Sequence, residues 1–238
     1  MRVLMLGSAP MAAEAAGWRR EPFDRILAVN NAWRLRPDWD LAIYPHDFPA
    51  ERHPAPGPGQ AVVTEAEFVP AQNAYGGFVF AGATMAFTAA YWALAALRPT
   101  VIAAFGCDMH YPAKGPTHFY GAGTPDPLRA DITLRSLEAK AARLMVLAAM
   151  QGCAMVNLST GPSRLVFPRV TRAAAGRARP LPFCAATAEA ALAAEAALDY
   201  VVPSGRYWEE AGRFDPAALD RVDALWRKAA EPALAETA

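Results

Sequence analysis

Val101-Ile-Ala-Ala-Phe-Gly-Cys-Asp-Met-His-Tyr-Pro-Ala-Lys-Gly-Pro-Thr-His-Phe-Tyr-Gly121 joins two kinds of sequence, and their junction decides the fold. The first five residues form an uninterrupted apolar run, the mark of a strand buried on both faces. The remainder sets an acid, two histidines, two tyrosines and a lysine between glycines and prolines, which makes it a loop. Open α/β sheets put their ligand chemistry in loops at the carboxyl ends of buried strands, because the strand fixes the root of a segment that can wrap a ligand. An enzyme or a ligand binder is therefore expected.

Four further apolar runs resemble the first: Val3 to Leu6, Ile26 to Val29, Leu41 to Tyr44 and Met155 to Leu158. They alternate with helical patterns at Ala83 to Leu97 and Arg129 to Met150, and a helix is also expected after Pro10. The alternation predicts an α/β fold with a doubly wound, mostly parallel, Rossmann-like sheet. His53-Pro-Ala-Pro-Gly-Pro-Gly59 reads as a surface loop. From Thr171 the composition shifts to alanine and arginine, followed by an alanine-rich helix from Thr187 to Leu198, a turn at Pro203-Ser-Gly205 and an amphipathic helix from Pro216 to Lys228. The chain thus divides into an α/β domain carrying the site over residues 1–170 and a helical C-terminal extension over residues 171–238.

At 238 residues and 54% hydrophobic composition, the chain can bury a large core in one or two domains. A formal net charge of zero with scattered arginines argues against a nucleic-acid partner. Cys107, Cys153 and Cys184 lie far apart without CxxC spacing, so neither a zinc knuckle nor a disulfide framework is expected, and a cytoplasmic setting is. The opening seven residues are too short for a signal peptide, and the apolar stretch from Ala83 to Leu97 is shorter than a membrane span. Peripheral membrane association and homo-oligomer contacts through the alanine-rich helix stay open.

Several loops follow the strands. Gly7-Ser-Ala-Pro10 has residues small enough for a phosphate to approach backbone N–H groups, although its spacing is neither GxGxxG nor a Walker A loop. The amides of Asn30 and Asn31 can serve a nucleobase or sugar, or merely complete a turn. Tyr44-Pro-His-Asp47 and Asn157-Leu-Ser-Thr-Gly-Pro-Ser163 end two other strands. Parallel strands bring all these loops to one sheet edge, and that convergence carries the expectation of a site.

The order Gly7-Ser-Ala-Pro10, Val29-Asn-Asn31, Pro37-Asp-Trp-Asp-Leu41, Gly82-Ala-Thr-Met85, Gly106-Cys-Asp108, Thr117-His-Phe-Tyr-Gly121 and Ser159-Thr-Gly-Pro-Ser163 resembles the bacterial sialyltransferases of glycosyltransferase family forty-two. It is also similar to the wider group that includes archaeal 6-hydroxymethylpterin diphosphokinases. The resemblance covers roughly the first three quarters of the chain. It departs at Ser8, where the sialyltransferases carry Asn, at His110-Tyr111, where they have Phe-Tyr, and in a shorter lid.

The resemblance implies a nucleotide-binding set of Gly7, Ser8, Asn30, Thr84, Gly106, Ser159 and Ser163, and a catalytic set of His118, Tyr120, Tyr111 and Asp108. The activity it implies is transfer of a sugar from a CMP-activated donor to a hydroxyl of a glycan or small-molecule acceptor, with no cofactor required. Such chemistry calls for a base near the acceptor hydroxyl, which an imidazole such as His118 supplies, and for groups that steady the leaving phosphate. Tyr111, Tyr120 and Lys114 are available for the second task; Lys114 also reads as a solvated loop charge, and Tyr120 as an aromatic anchor. Asp108 serves to orient the loop or a ribose. His46, Asp47, Asp108, His110 and His118 match no metal motif, so no metal site is assigned. Two other readings stay open: a diphosphotransferase whose magnesium would sit on Asp47 and Asp108, and a nucleotide-binding module without turnover.

Overall fold

The computed structural model describes residues 1–121 and 129–236. Six strands form a sheet in the order β4-β3-β2-β1-β5-β6, and every neighbouring pair is parallel. They are β1 (Arg2–Leu6), β2 (Arg25–Val29), β3 (Leu41–Ile43), β4 (Ala61–Val63), β5 (Val101–Phe105) and β6 (Ala154–Asn157). The chain builds outward from β1 through β2, β3 and β4, then returns to the other side of β1 with β5 and β6. This is a Rossmann-like arrangement, and the order reverses between β1 and β5.

Side chains on a strand alternate between the two faces, so each run of apolar residues feeds two cores. Val3, Met5, Leu27, Ile102 and Met155 enter one core, whereas Leu4, Leu6, Ile26, Ala103 and Val156 enter the other. The first core is covered by α-helices: α1 (Glu65–Ala74), α2 (Gly77–Ala81), α3 (Met85–Leu97) and α4 (Leu137–Met150) contribute to it. The second is closed differently. A 3-10 helix at Pro10–Gly17, another at Asn30–Leu35, and the short α5 (Arg172–Ala175) cover it, with Trp18 and Trp39 filling the gaps.

Two expectations need correction. The segment after Pro10 winds as 3-10 helix rather than α-helix; its Ala12 lies so close to Gly106 that a Cβ on that glycine would stand 2.6 Å from the Ala12 Cβ, and the narrower helix suits that approach. The helix expected over Arg129 to Met150 begins only at Leu137. Asp131 accepts hydrogen bonds from the Thr133 N–H and O–H and caps a 3-10 turn at Ile132–Leu134, after which Ser136 caps α4 by accepting from the Ala139 N–H.

The C-terminal extension continues with α6 (Ala185–Leu198), α7 (Pro216–Ala229) and α8 (Glu231–Glu236). Helix α7 packs against both α4 and α6, and Ala188, Ala191, Val222 and Trp226 belong to the same core as Leu144 and Ile102. The extension therefore shares the core of the helical face. Among the described residues no helix is long and apolar enough to cross a membrane.

Candidate functional site

Because all strands are parallel, the loops after β1, β2, β3, β5 and β6 emerge at one edge of the sheet. At the reversal point the β1 and β5 loops are laced together. The Gly7 N–H donates to the Phe105 carbonyl at 2.8 Å, and the Ala9 N–H donates to the Gly106 carbonyl at 3.0 Å. A Cβ on Gly7 would stand 2.2 Å from the Gly106 carbonyl oxygen, and Gly106 itself holds φ at +71°. Only glycines allow two backbones to come this close.

A third segment docks on this pair. The Phe119 N–H donates to the Ser8 carbonyl at 3.0 Å, while His118 and Gly121 exchange two backbone hydrogen bonds and close a tight turn. The turn holds the His118 ring against Tyr120 with centroids 4.9 Å apart, and the Tyr111 ring stands 6.0 Å from it. Nδ1 of His118 lies 2.9 Å from Thr117 Oγ1. Partial burial lowers the His118 pKa below the ordinary imidazole value, so the ring is neutral at neutral pH.

These loops open onto a cavity of about 1380 Å³. Of the implied nucleotide-binding and catalytic sets, Gly7, Ser8, Asn30, Thr84, Gly106, Tyr111, His118 and Tyr120 line it, and so do Asn31, His46, Asp47 and His110. Asn30 sits in the left-handed region at φ +53°, which Asn tolerates better than most residues. The side-chain carbonyl oxygens of Asn30 and Asn31 are buried without a hydrogen-bond partner, and both residues line the cavity. Thr84 is buried at the start of α3, where its hydroxyl accepts from the Phe87 N–H.

Asp108, Ser159 and Ser163 lie outside the cavity lining. Asp108 is 3% exposed; Ser159 Oγ donates to one of its oxygens at 2.6 Å, and Asn157 Nδ2 donates to the other at 3.2 Å and reaches Ser163 Oγ at 3.1 Å. The Gly106 N–H in turn donates to Ser159 Oγ at 3.2 Å. These residues brace the loops after β5 and β6 against each other from beneath. Lys114 is exposed and does not line the cavity.

Another wall was not anticipated from the sequence. It comes from the segment before α4 and from the C-terminal extension: Arg129, Asp131, Arg206, Tyr207 and Trp208. The Tyr207 O–H donates to Asp131 Oδ2 at 2.7 Å, and Arg129 donates to both residues at 3.0 Å. Burial, reinforced by the Asp131 carboxylate, pushes the Tyr207 phenol up to about 12. Burial opposes ionisation of Asp131, yet hydrogen bonds from Thr133, Tyr207 and Arg129 hold it below the usual carboxylate value. The available signal was the aromatic and basic run Arg206-Tyr-Trp208 directly after the Pro203-Ser-Gly205 turn. Among the described residues no three His, Cys, Asp or Glu side chains come together as a metal-ligand group.

No protein-family model, no curated protein and no solved structure matches the chain. Fold and site together define a parallel α/β protein with a large cavity across the carboxyl ends of its central strands.

Proposed function

We propose that this chain is a glycosyltransferase-like enzyme that moves a sugar of the sialic-acid type from a CMP-activated donor to an acceptor hydroxyl. The observation that carries the proposal is His118: a half-buried, neutral imidazole that faces the same cavity as the Gly7–Ser8 loop and is tied to that loop through the Phe119 N–H. The 2.9 Å contact between Nδ1 and Thr117 Oγ1 fits the tautomer in which Nδ1–H donates to Thr117, which leaves the Nε2 lone pair for the acceptor. It takes the acceptor proton as the acceptor oxygen bonds to the anomeric carbon and the bond from that carbon to the phosphate oxygen breaks, CMP leaving with the electron pair. Tyr111 and Tyr120 donate hydroxyls to the leaving phosphate; the Gly7 N–H is held by the Phe105 carbonyl, so the small residues Gly7 and Ser8 contribute room for the phosphate, without a resident metal. The orphaned carbonyl oxygens of Asn30 and Asn31 suit the exocyclic amino group of cytosine, a donor that would satisfy them.

The magnesium-dependent diphosphotransfer reading loses support from Asp108, whose two oxygens are taken up by Ser159 and Asn157. The test is a thermal-shift series with CMP, UDP, GDP, ADP and ATP, each with and without magnesium, since a ligand of the native state raises its apparent stability. CMP alone should stabilise the protein. Stabilisation by ATP only with magnesium would point to diphosphotransfer, and CMP binding without turnover of CMP-sialic acid on any acceptor would point to a binding module.

A further inference from the structure

We propose that the C-terminal extension builds the acceptor subsite of this cavity, with the Trp208 indole as the platform under a hexopyranoside ring. The inference rests on the glycosyl-transfer reading and extends it to the second substrate. A pocket for one small-molecule ligand measures about 300–1,000 Å³, and the cavity, at about 1380 Å³, exceeds that range. The nucleotide loops account for one part of its lining; the extension supplies another.

Four large hydrophobic side chains are exposed among the described residues: Met1, Tyr120, Met150 and Trp208. The two aromatic ones both open onto this cavity. Trp208 is 54% exposed, and its exposure is not that of a loose loop. Gly205, at φ +76°, lets the segment press so closely on the α1–α2 corner that a Cβ would stand 3.0 Å from the Phe78 ring and 3.1 Å from Val69. Asn73 Nδ2 donates to the Pro203 carbonyl at 2.9 Å, and Tyr207 is anchored on Asp131. Trp208 meets Tyr207 edge-on, with centroids 5.4 Å apart.

A water-exposed indole on an anchored segment of the cavity wall suits a ligand with one apolar face and polar edges. A pyranose has that shape: C–H bonds on one face pack against the electron-rich ring, and hydroxyls around the rim seek donors and acceptors. Arg206 and Ser204 line the same wall and can serve that rim.

Saturation-transfer NMR on the full chain tests the proposal. The probes are methyl β-galactopyranoside, methyl β-glucopyranoside and methyl N-acetyl-β-glucosaminide, each with CMP present, against wild type, Trp208→Phe and Trp208→Ala. The expected result is transfer to the ring C–H protons of at least one glycoside, largely kept by Trp208→Phe and weakened about ten-fold in affinity by Trp208→Ala, the order a lost aromatic face is worth. CMP affinity should be the same in all three proteins. Undiminished glycoside binding by Trp208→Ala, or no glycoside binding by wild type, overturns the subsite. The CMP signal is read separately in each sample, so its absence from wild type would mark failure of the donor reading instead.

Discussion

Arg143 of α4 and Glu195 of α6 meet inside the protein through two hydrogen bonds of 2.7 Å each. Their other polar atoms are also engaged: Arg143 donates to the Tyr91 hydroxyl at 2.7 Å, and Trp226 Nε1 donates to Glu195 at 2.6 Å. The pair thus ties the α/β layer to the C-terminal extension by groups that are costly to leave unmatched. Glu195→Ala strands a buried guanidinium and should lower stability by about 3–5 kcal/mol. Urea unfolding checks this, and the wild type should unfold in one transition because the two regions share a core. A loss below about 1 kcal/mol, the range of exposed ion pairs, would contradict the buried-pair account.

At the reversal point of the sheet, Gly7→Ala puts a methyl group against the Gly106 carbonyl, whose carbon and oxygen are backbone and cannot swing aside, and within 2.7 Å of Cys107 Sγ. The β1 and β5 loops must separate, at a cost of about 1–3 kcal/mol by comparison with overpacked cores. Thermal melting should shift downward, and CMP binding should fall with it. Unchanged melting would mean that the two loops are less tightly laced than the 2.8 Å bond from Gly7 to Phe105 implies.

For Asn30 the informative substitution is glycine, because alanine would add strain at φ +53° to the loss of the amide. Asn30→Gly should keep the fold and weaken CMP by about 1–3 kcal/mol if the orphaned carbonyl oxygen accepts from the base. Calorimetric titration measures it. Equal affinity in the two proteins would reduce Asn30 to a turn residue.

The sheet was legible where its strands are buried on both faces and long enough to read as continuous apolar runs, as Val101 to Phe105 does. β4 escaped notice because three residues following a Pro/Gly loop carry no periodicity. Helix α1 was hidden by Pro70 within it and by Gly76-Gly77 after it, although Glu67 accepting from the Thr64 N–H is a start signal that the sequence does contain. At the site, loops rooted on strand ends could be placed from the sequence, since parallel strands share an edge. Whether a polar side chain faces the cavity or braces it could not, and Asp108 shows why: its two partners lie 49 and 51 residues away. The wall from Arg206 to Trp208 depends on docking of the extension against the α1–α2 corner, a tertiary event without a local pattern.

His118 carries the most consequential expectation. A positioned general base contributes on the order of a hundred- to ten-thousand-fold in rate, so His118→Ala should lower turnover of CMP-sialic acid by that factor while CMP affinity stays nearly constant. His110→Ala is the control: His110 is exposed and lines the same cavity, so a bulk change in imidazole content is matched while the ring held by Thr117 and Tyr120 is kept. Burial depresses the His118 pKa, so the rate should fall on the acid side through an apparent pKa below 6.5, the value of an unperturbed imidazole. The same shift has a consequence for folding: below 6.5 the unfolded chain binds a proton that the folded ring resists, so stability declines as pH falls through that window, and His118→Ala should remove this component. If His110→Ala abolishes transfer while His118→Ala leaves it intact, the proton passes through the other ring. A pH–rate profile with no acid limb would instead assign His118 to holding Tyr120 in place, with the acceptor proton leaving by another route.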